Sequence, residues 1–215
     1  MGHLCIDVKK IRCHALVATG RKYLRAPRGS GFLYVSSTIV SDLLPQHIDH
    51  YGVPILQVPE AYSEIHSVEN LIKYSPRDGA SRFEFWESNV ANRLGLGLAI
   101  QESIEIGPKV IEEQCARLSQ ILKDKLHQIS NVVVHHSVSS SCGIVTFYST
   151  SLNSQKLRDE MQRKGFELSL VPATSTPFDS AKTKVPDLVR ASVSYTNTPE
   201  EIENFVQSLQ SLLES

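Results

Sequence analysis

Residues 18–35 read ATGRKYLRAPRGSGFLYV, in which a basic connection joins two apolar runs. The runs, residues 15–18 and 31–35, are short and rich in aliphatic or aromatic side chains, so both are predicted to be strands. The connection between them, residues 19–30, contains glycine, proline and four basic side chains. That composition is typical of a shaped surface loop, and such loops often carry functional groups. This loop is therefore the first candidate for a site.

The positive charge of the chain is concentrated near its amino terminus. The 215 residues hold 22 basic and 23 acidic side chains, so the whole molecule has no field strong enough to attract DNA or an anionic membrane. Between Asp7 and Asp42, however, there are seven basic residues and no acidic one. On charge alone this basic block is compatible with a phosphate site, a nucleic-acid patch or a solvated face.

The remaining composition excludes several classes of protein. With 41% hydrophobic and 21% charged residues, the chain is expected to fold as a globular protein. The four cysteines form no C-x-x-C pair and no signal-peptide pattern is present, which predicts a reduced, cytoplasmic location. No apolar run approaches the roughly 18 residues that a membrane span needs. His47 and His50 have no further ligand at metal spacing, so no metal site is expected.

The first half of the chain is not expected to form a complete domain by itself. Residues 6–8 and the two runs around the loop are predicted to be strands of a parallel sheet, because their apolar residues are nearly continuous. Too few helices accompany them to cover such a sheet, so much of it is expected to be missing from this chain. A long helix is predicted to begin at a Ser88 cap, and Gly95 and Gly97 within it predict the close approach of another backbone.

The second half alternates strands and helices, which predicts a small α+β layer domain. Strands are predicted at residues 132–135, 143–148, 166–170 and 188–195, and helices at residues 109–129, 153–164 and from 199 onward. The last helix has the clearest start, since Thr198 can cap it and Pro199 suits its first position.

Residues 18–35 resemble the lysine segment of class V aminotransferase-fold enzymes, a group that includes cysteine desulfurases, selenocysteine lyases and isopenicillin N epimerase-like proteins. In that family a small hydroxyl residue, a basic residue and the cofactor lysine precede a glycine-rich turn, and these correspond to Thr19, Arg21, Lys22 and residues 29–31. Residues 82–97 are similar to the start of the interdomain helix, and residues 188–198 to the carboxylate-binding strand.

The resemblance covers nearly the whole chain but only the carboxy-terminal part of the family's architecture. It implies an α/β fold: residues 1–106 would be the C-terminal part of the large domain of a fold type I PLP-dependent transferase, and residues 107–215 a small α+β C-terminal domain. The implied cofactor is pyridoxal 5'-phosphate (PLP), the substrate an amino acid or an amino-sulfur compound, and the full-length form a homodimer without nucleic-acid or membrane partners. If the natural protein extends upstream of Met1, full activity is expected; if the chain is complete, weak cofactor binding and little turnover are expected.

The resemblance assigns a role to four residues. Lys22 would form the internal aldimine with the cofactor and then move the substrate α-proton. Its amine must be partly neutral for this chemistry, and neighbouring cations would favour the neutral form. Thr19 and Arg21 would bind the cofactor phosphate. Arg190 alternates with apolar residues along its strand, so it faces away from the core and would bind the substrate carboxylate.

Two departures from the family pattern bear on the reaction. Many relatives have a Gly-Thr pair that reaches the phosphate of the neighbouring subunit, whereas this chain has Trp86 and Glu87 there. Desulfurases also need a mobile cysteine before the carboxylate strand, but residues 171–186 contain none, and Cys142 is expected to be buried. Lyase, epimerase or aminotransferase chemistry is therefore favoured over persulfide formation.

Three functions remain open at this point. The first is a PLP-dependent enzyme, or a truncated part of one, acting on an amino acid or amino-sulfur compound. The second is a non-catalytic interaction module descended from such an enzyme. The third, an anion or nucleic-acid binder using the basic block, ranks last because the block offers few aromatic side chains for stacking.

Overall fold

The computed structural model describes residues 1–57, 73–135 and 141–214. Contacts within the chain divide it into two compact units. The first unit holds Met1 and residues 6–102, and the second holds residues 2–5 and 103–215. Within the described ranges, no helix combines the length and the apolar character that crossing a membrane requires.

The first unit is built from short elements and the greater part of one long helix. In chain order they are α1 (Val8–Ile11), β1 (Ala15–Thr19), β2 (Gly31–Val35), a 3₁₀ turn (Val40–Asp42), β3 (Ile55–Gln57), β4 (Lys73–Tyr74), a second 3₁₀ turn (Gly79–Phe83) and α2 (Val90–Ile106). β1 and β2 pair antiparallel, with Thr19 opposite Gly31, and β3 and β4 also pair antiparallel. The predicted parallel arrangement is wrong for β1 and β2, because the loop between them turns the chain directly back on itself.

The predicted strand at residues 6–8 is also wrong. The Asp7 carboxylate accepts hydrogen bonds from the backbone N–H groups of Lys9 (2.9 Å) and Lys10 (3.3 Å). Helix α1 begins at Val8, directly after Asp7. An aspartate that caps free N–H groups stabilises the first helical turn. This local cap therefore outweighs the strand preference of the apolar residues beside it.

The long helix α2 starts one residue later than a Ser88 cap predicts. Asn89 is the cap, because its side-chain oxygen accepts a hydrogen bond from the Asn92 backbone N–H at 2.9 Å. The Ser88 hydroxyl instead accepts a hydrogen bond from the Arg93 guanidinium at 3.2 Å. Both side chains at the start of α2 are thus engaged in forming the helix.

The two glycines of α2 differ in their surroundings. A Cβ atom added to Gly95 would lie 2.6 Å from Cγ of Pro27, so a close approach is present there, but it comes from a proline side chain and not from another backbone. A Cβ atom on Gly97 would meet none of the described residues within 4 Å, so the prediction is wrong for that residue. The two residues lie on different faces of the helix, and only one face packs against the loop between β1 and β2.

This difference predicts opposite effects of the same substitution. Gly95→Ala is expected to destabilise the first unit by about 1–2 kcal/mol, since overpacking against the proline ring outweighs the gain in helix propensity. Gly97→Ala is expected to stabilise it by about 0.5–1 kcal/mol, because alanine favours the helix and meets no neighbour. Urea unfolding followed by fluorescence of Trp86, the single tryptophan, measures both changes. Equal effects of the two substitutions would contradict the packing of α2 on Pro27.

The second unit forms a four-stranded antiparallel sheet in the order β5-β6-β8-β7. Its elements are α3 (Pro108–Leu126), β5 (Val132–Val134), β6 (Ile144–Ser149), α4 (Ser154–Arg163), β7 (Ser169–Val171), a 3₁₀ turn (Ala173–Ser175), α5 (Pro177–Thr183), β8 (Leu188–Ser192) and α6 (Pro199–Glu214). Every strand and helix predicted for this half is present with shifted ends. The order of elements agrees with a small α+β layer.

The core of the second unit lies between one face of this sheet and its helices. Fully buried members include Leu118 and Leu126 on α3, Phe147 on β6, Val189 on β8 and Leu209 on α6. The first unit has a much smaller cluster, formed by Leu24, Ala26 and Leu96. Val17 on β1 is 79% exposed. Within the described residues, the hairpin of the first unit therefore buries little of its apolar surface.

Candidate functional site

The loop between β1 and β2 is closed by hydrogen bonds within its own backbone. Gly20 N–H donates to the carbonyl of Ser30 at 2.9 Å, and Ala26 N–H donates to the carbonyl of Gly20 at 3.0 Å. Arg25 N–H donates to the carbonyl of Lys22 at 2.9 Å, and Arg25 has a positive φ of 61°. Lys22 therefore begins a tight turn at the tip of a hydrogen-bonded loop.

Helix α2 holds this loop at several points. The Asn92 side-chain amide donates to the carbonyl of Arg28 at 2.8 Å, and the Arg25 guanidinium pairs with the Glu102 carboxylate at 2.9 Å. Apolar contacts between the loop and the helix involve Leu24, Ala26, Leu96, Ala99 and Ile100. The conformation of the loop is thus set by packing against a helix.

Gly20 is required by this packing. A Cβ atom at this position would lie 2.7 Å from the Ser30 hydroxyl, 2.9 Å from Cβ of Ala26 and 2.9 Å from Cδ1 of Leu96. Side chains essentially never approach that closely, so only glycine fits without movement of its neighbours. The glycine between Thr19 and Arg21 in the sequence is therefore explained by tight packing of the loop.

Three of the four residues predicted for the site lie together at the start of this loop. Thr19 ends β1, Arg21 and Lys22 follow within two positions of Gly20, and all three are exposed. In the part of the chain that the structure describes, Arg21, Lys22 and Arg28 have no acidic partner. A hydroxyl beside unpaired cations is a donor set that suits a phosphate group.

The fourth predicted residue, Arg190, lies on β8 in the second unit. Its neighbours Val189 and Ala191 are buried in the core, so the predicted orientation of Arg190 away from the core is confirmed. Its Nη2 group donates to the Ser169 hydroxyl at 2.9 Å. Its Nε group is buried and has no hydrogen-bond partner among the described residues. A buried donor of this kind is suited to a carboxylate oxygen.

Trp86 and Glu87 are the two residues that stand where the resemblance leads one to expect a Gly-Thr pair. The Asp49 carboxylate accepts hydrogen bonds from the backbone N–H groups of Tyr51 (2.8 Å) and Trp86 (3.0 Å). These bonds lower the pKa of Asp49, and the bond from Tyr51 has the largest effect. The Trp86 ring lies 5.2 Å from the ring of His50, between centroids. Trp86 is thus fixed in an aromatic cluster, and neither residue at this position supplies a hydroxyl.

Arg82 has a role that sequence reasoning missed. Its side chain is buried without an acid and donates to the carbonyls of Arg77 (2.9 Å), Val40 (2.8 Å), Ser41 (3.2 Å) and Leu43 (3.0 Å). It therefore ties the first 3₁₀ turn to the second. No periodic pattern in the sequence distinguishes this arginine from a surface one, because its partners are backbone atoms about forty residues away.

The segment that leads to β8 and Arg190 brings no cysteine with it. Residues 171–186, which contain α5 and the turn before it, include no cysteine. Cys115 is buried, and burial raises the pKa of its thiol. Cys142 is partly exposed, so its predicted burial is wrong. In the described ranges, no group of three or more His, Cys, Asp or Glu side chains is arranged to hold a metal ion.

Comparison with known proteins identifies the family. The family model described as Aminotransferase class-V matches residues 1–205. The chain belongs to the aminotransferase class-V family. A probable cysteine desulfurase of Borreliella burgdorferi is 28% identical to it over 214 residues, and one of Methanothermobacter thermautotrophicus is 26% identical over 219 residues. These matches cover 98% and 99% of this chain but 48% and 50% of the relatives.

Solved structures that match this chain confirm the fold. The apo cysteine desulfurase of Thermococcus onnurineus matches with a TM-score of 0.84 and 23% identity, and the alignment covers 99% of this chain and 50% of that one. A cystine C-S lyase in complex with cysteine persulfide matches with a TM-score of 0.76 and 20% identity, over 97% of this chain and 49% of that one. The predicted α/β fold is thus confirmed, and it corresponds to half of the PLP-dependent cysteine desulfurase fold.

Proposed function

We propose that this class V chain is the lysine-bearing part of a PLP-dependent enzyme that acts on an amino acid or an amino-sulfur compound. Residues 1–106 would be the remnant of the cofactor-binding domain, and residues 107–215 the small C-terminal domain. The chain spans about half the length of its curated relatives, so the activity and homodimer of a complete enzyme belong to this proposal. The observation that carries it is the Lys22 loop, whose conformation is held by α2 and in which Arg21, Lys22 and Arg28 have no acidic partner among the described residues.

The residues of the loop would bind PLP as follows. Lys22 would hold the cofactor covalently through Nζ. Thr19 would donate its hydroxyl proton to a phosphate oxygen, and the Arg21 guanidinium would pair with the phosphate charge. The bound cofactor supplies an electron sink for the pair released when a bond to the substrate Cα breaks.

Lys22 and Arg190 would act on the substrate. The Lys22 amine would take up and return the proton at the substrate Cα. Arg190 would bind the substrate carboxylate, using the buried Nε donor. Since residues 171–186 contain no cysteine to accept sulfur, we propose elimination, epimerisation or transamination as the reaction.

Chemical trapping tests this proposal. The chain is incubated with PLP, reduced with borohydride, digested and mapped by mass spectrometry. We expect Lys22 to carry at least about ten times more label than other exposed lysines, because the neighbouring cations attract the cofactor phosphate to this loop. Lys9 and Lys10 belong to the same basic block and serve as internal controls. Label spread evenly over the exposed lysines would refute the role of Lys22 and favour the alternative, a non-catalytic interaction module.

A further inference from the structure

One face of the sheet in the second unit carries a row of polar side chains across its four strands. Ser169 on β7 lies directly opposite Arg190 on β8, which in turn lies opposite Thr146 on β6. His135, at the end of β5, donates its backbone N–H to the carbonyl of Thr146 at 2.8 Å. Residues directly opposite each other share one face of an antiparallel sheet. Arg190 therefore lies in the middle of a polar row on the face away from the core.

The neighbours of Arg190 in this row are engaged in different ways. The Thr146 hydroxyl donates to the carbonyl of His135, so its proton is directed toward β5. His135 Nε2 lies 2.9 Å from the Asp179 carboxylate, an ion pair when the imidazole is protonated. Ser169 alone, among the residues that the structure describes, has a side chain hydrogen-bonded to the guanidinium. Its hydroxyl thus sets the orientation of the planar group.

The guanidinium is left with donors that protein atoms do not use. Nη2 bonds to Ser169, while the buried Nε has no partner in the described ranges. A buried N–H without an acceptor is unfavourable, because it has lost its hydrogen bonds to water. A carboxylate can accept two parallel bonds from a guanidinium edge, which would satisfy this donor.

We propose that Ser169 is a positioning residue for carboxylate recognition by Arg190. The hydroxyl accepts one Nη2 proton and fixes the guanidinium plane. The Nε edge is therefore already oriented for the carboxylate before it binds. This inference rests on the proposed role of Arg190. It adds that the specificity for a carboxylate depends on a residue of a different strand.

The test measures the side chain of Arg190 directly. The Arg190 Nε–Hε signal is observed by NMR in ¹⁵N-labelled chain and assigned by its absence in Arg190→Lys. Sodium acetate is titrated at constant ionic strength, and acetamide serves as the uncharged probe of the same shape. We expect acetate to shift the signal and acetamide to leave it unchanged. In Ser169→Ala the acetate midpoint should rise about five- to tenfold, the effect of one hydrogen bond.

Two further variants make the outcome decisive. Ser169→Thr retains the hydroxyl and should restore the wild-type midpoint, whereas Ser192→Ala, two residues along β8, should not change it. Urea unfolding of Ser169→Ala shows whether the second unit remains folded. An unchanged acetate midpoint in folded Ser169→Ala would overturn the role of Ser169 and leave that of Arg190 intact. An equal response of the wild-type chain to acetate and acetamide would overturn both, while the Lys22 labelling remains an independent test.

Discussion

Replacing Lys22 by alanine is expected to abolish the covalent attachment of pyridoxal phosphate to the loop between β1 and β2. Lys22 is the single lysine in this loop, so no other side-chain amine of the loop can take its place. The yield of borohydride-trapped cofactor at this loop should fall by at least about two orders of magnitude, because an alanine offers no nucleophile. The visible absorbance of lysine-bound cofactor should fall with it.

Two matched variants separate the covalent role of Lys22 from its charge. Lys22→Arg keeps the positive charge but cannot attack an aldehyde, so it should still bind PLP reversibly without forming a trapped product. Lys9→Ala removes a lysine from the same basic block and should leave trapping at Lys22 unchanged. Equal absorbance spectra of the wild-type chain and Lys22→Ala after addition of PLP would refute the assignment.

Replacing Arg82 by methionine is expected to destabilise the first unit by about 3 kcal/mol or more. The substitution removes a buried cation that donates to four backbone carbonyls, and carbonyls left without partners are costly when buried. Arg82→Lys should recover only part of the loss, since one ammonium group cannot reproduce the planar fork that spans the two 3₁₀ turns. Urea unfolding followed by Trp86 fluorescence reports on this unit, because the tryptophan lies within it.

The control for this experiment is an arginine in a different environment. The Arg28 side chain is exposed and, in the described ranges, has neither an acid nor a carbonyl partner. Arg28→Met should therefore change the free energy of unfolding by no more than about 0.5 kcal/mol. If Arg82→Met had an equally small effect, the hydrogen bonds from Arg82 to Val40, Ser41 and Leu43 would not stabilise the unit.

Helices and strands could be predicted from the sequence where hydrophobic periodicity or a cap within a few residues specifies them. The helix at Pro199 and the strand containing Arg190 were predicted because hydrophobic periodicity and caps act over a few residues. The strand at residues 6–8 and the Ser88 cap were wrong, because neighbouring side chains, Asp7 and Asn89, capped the helices that formed. Competition between adjacent caps depends on detailed geometry that a pattern of residue types does not contain.

Sequence alone determined the family resemblance, the order of elements in the second half, and Lys22, Thr19, Arg21 and Arg190 as the residues to examine. Each of these depends on the chemistry and spacing of residues close together in the chain. Tertiary structure decided that Gly95 and not Gly97 packs on Pro27, that Arg82 binds the backbone around Val40, and that Ser169 meets Arg190. Those contacts join positions far apart in sequence, so they exist only when strand register and helix packing bring the atoms together.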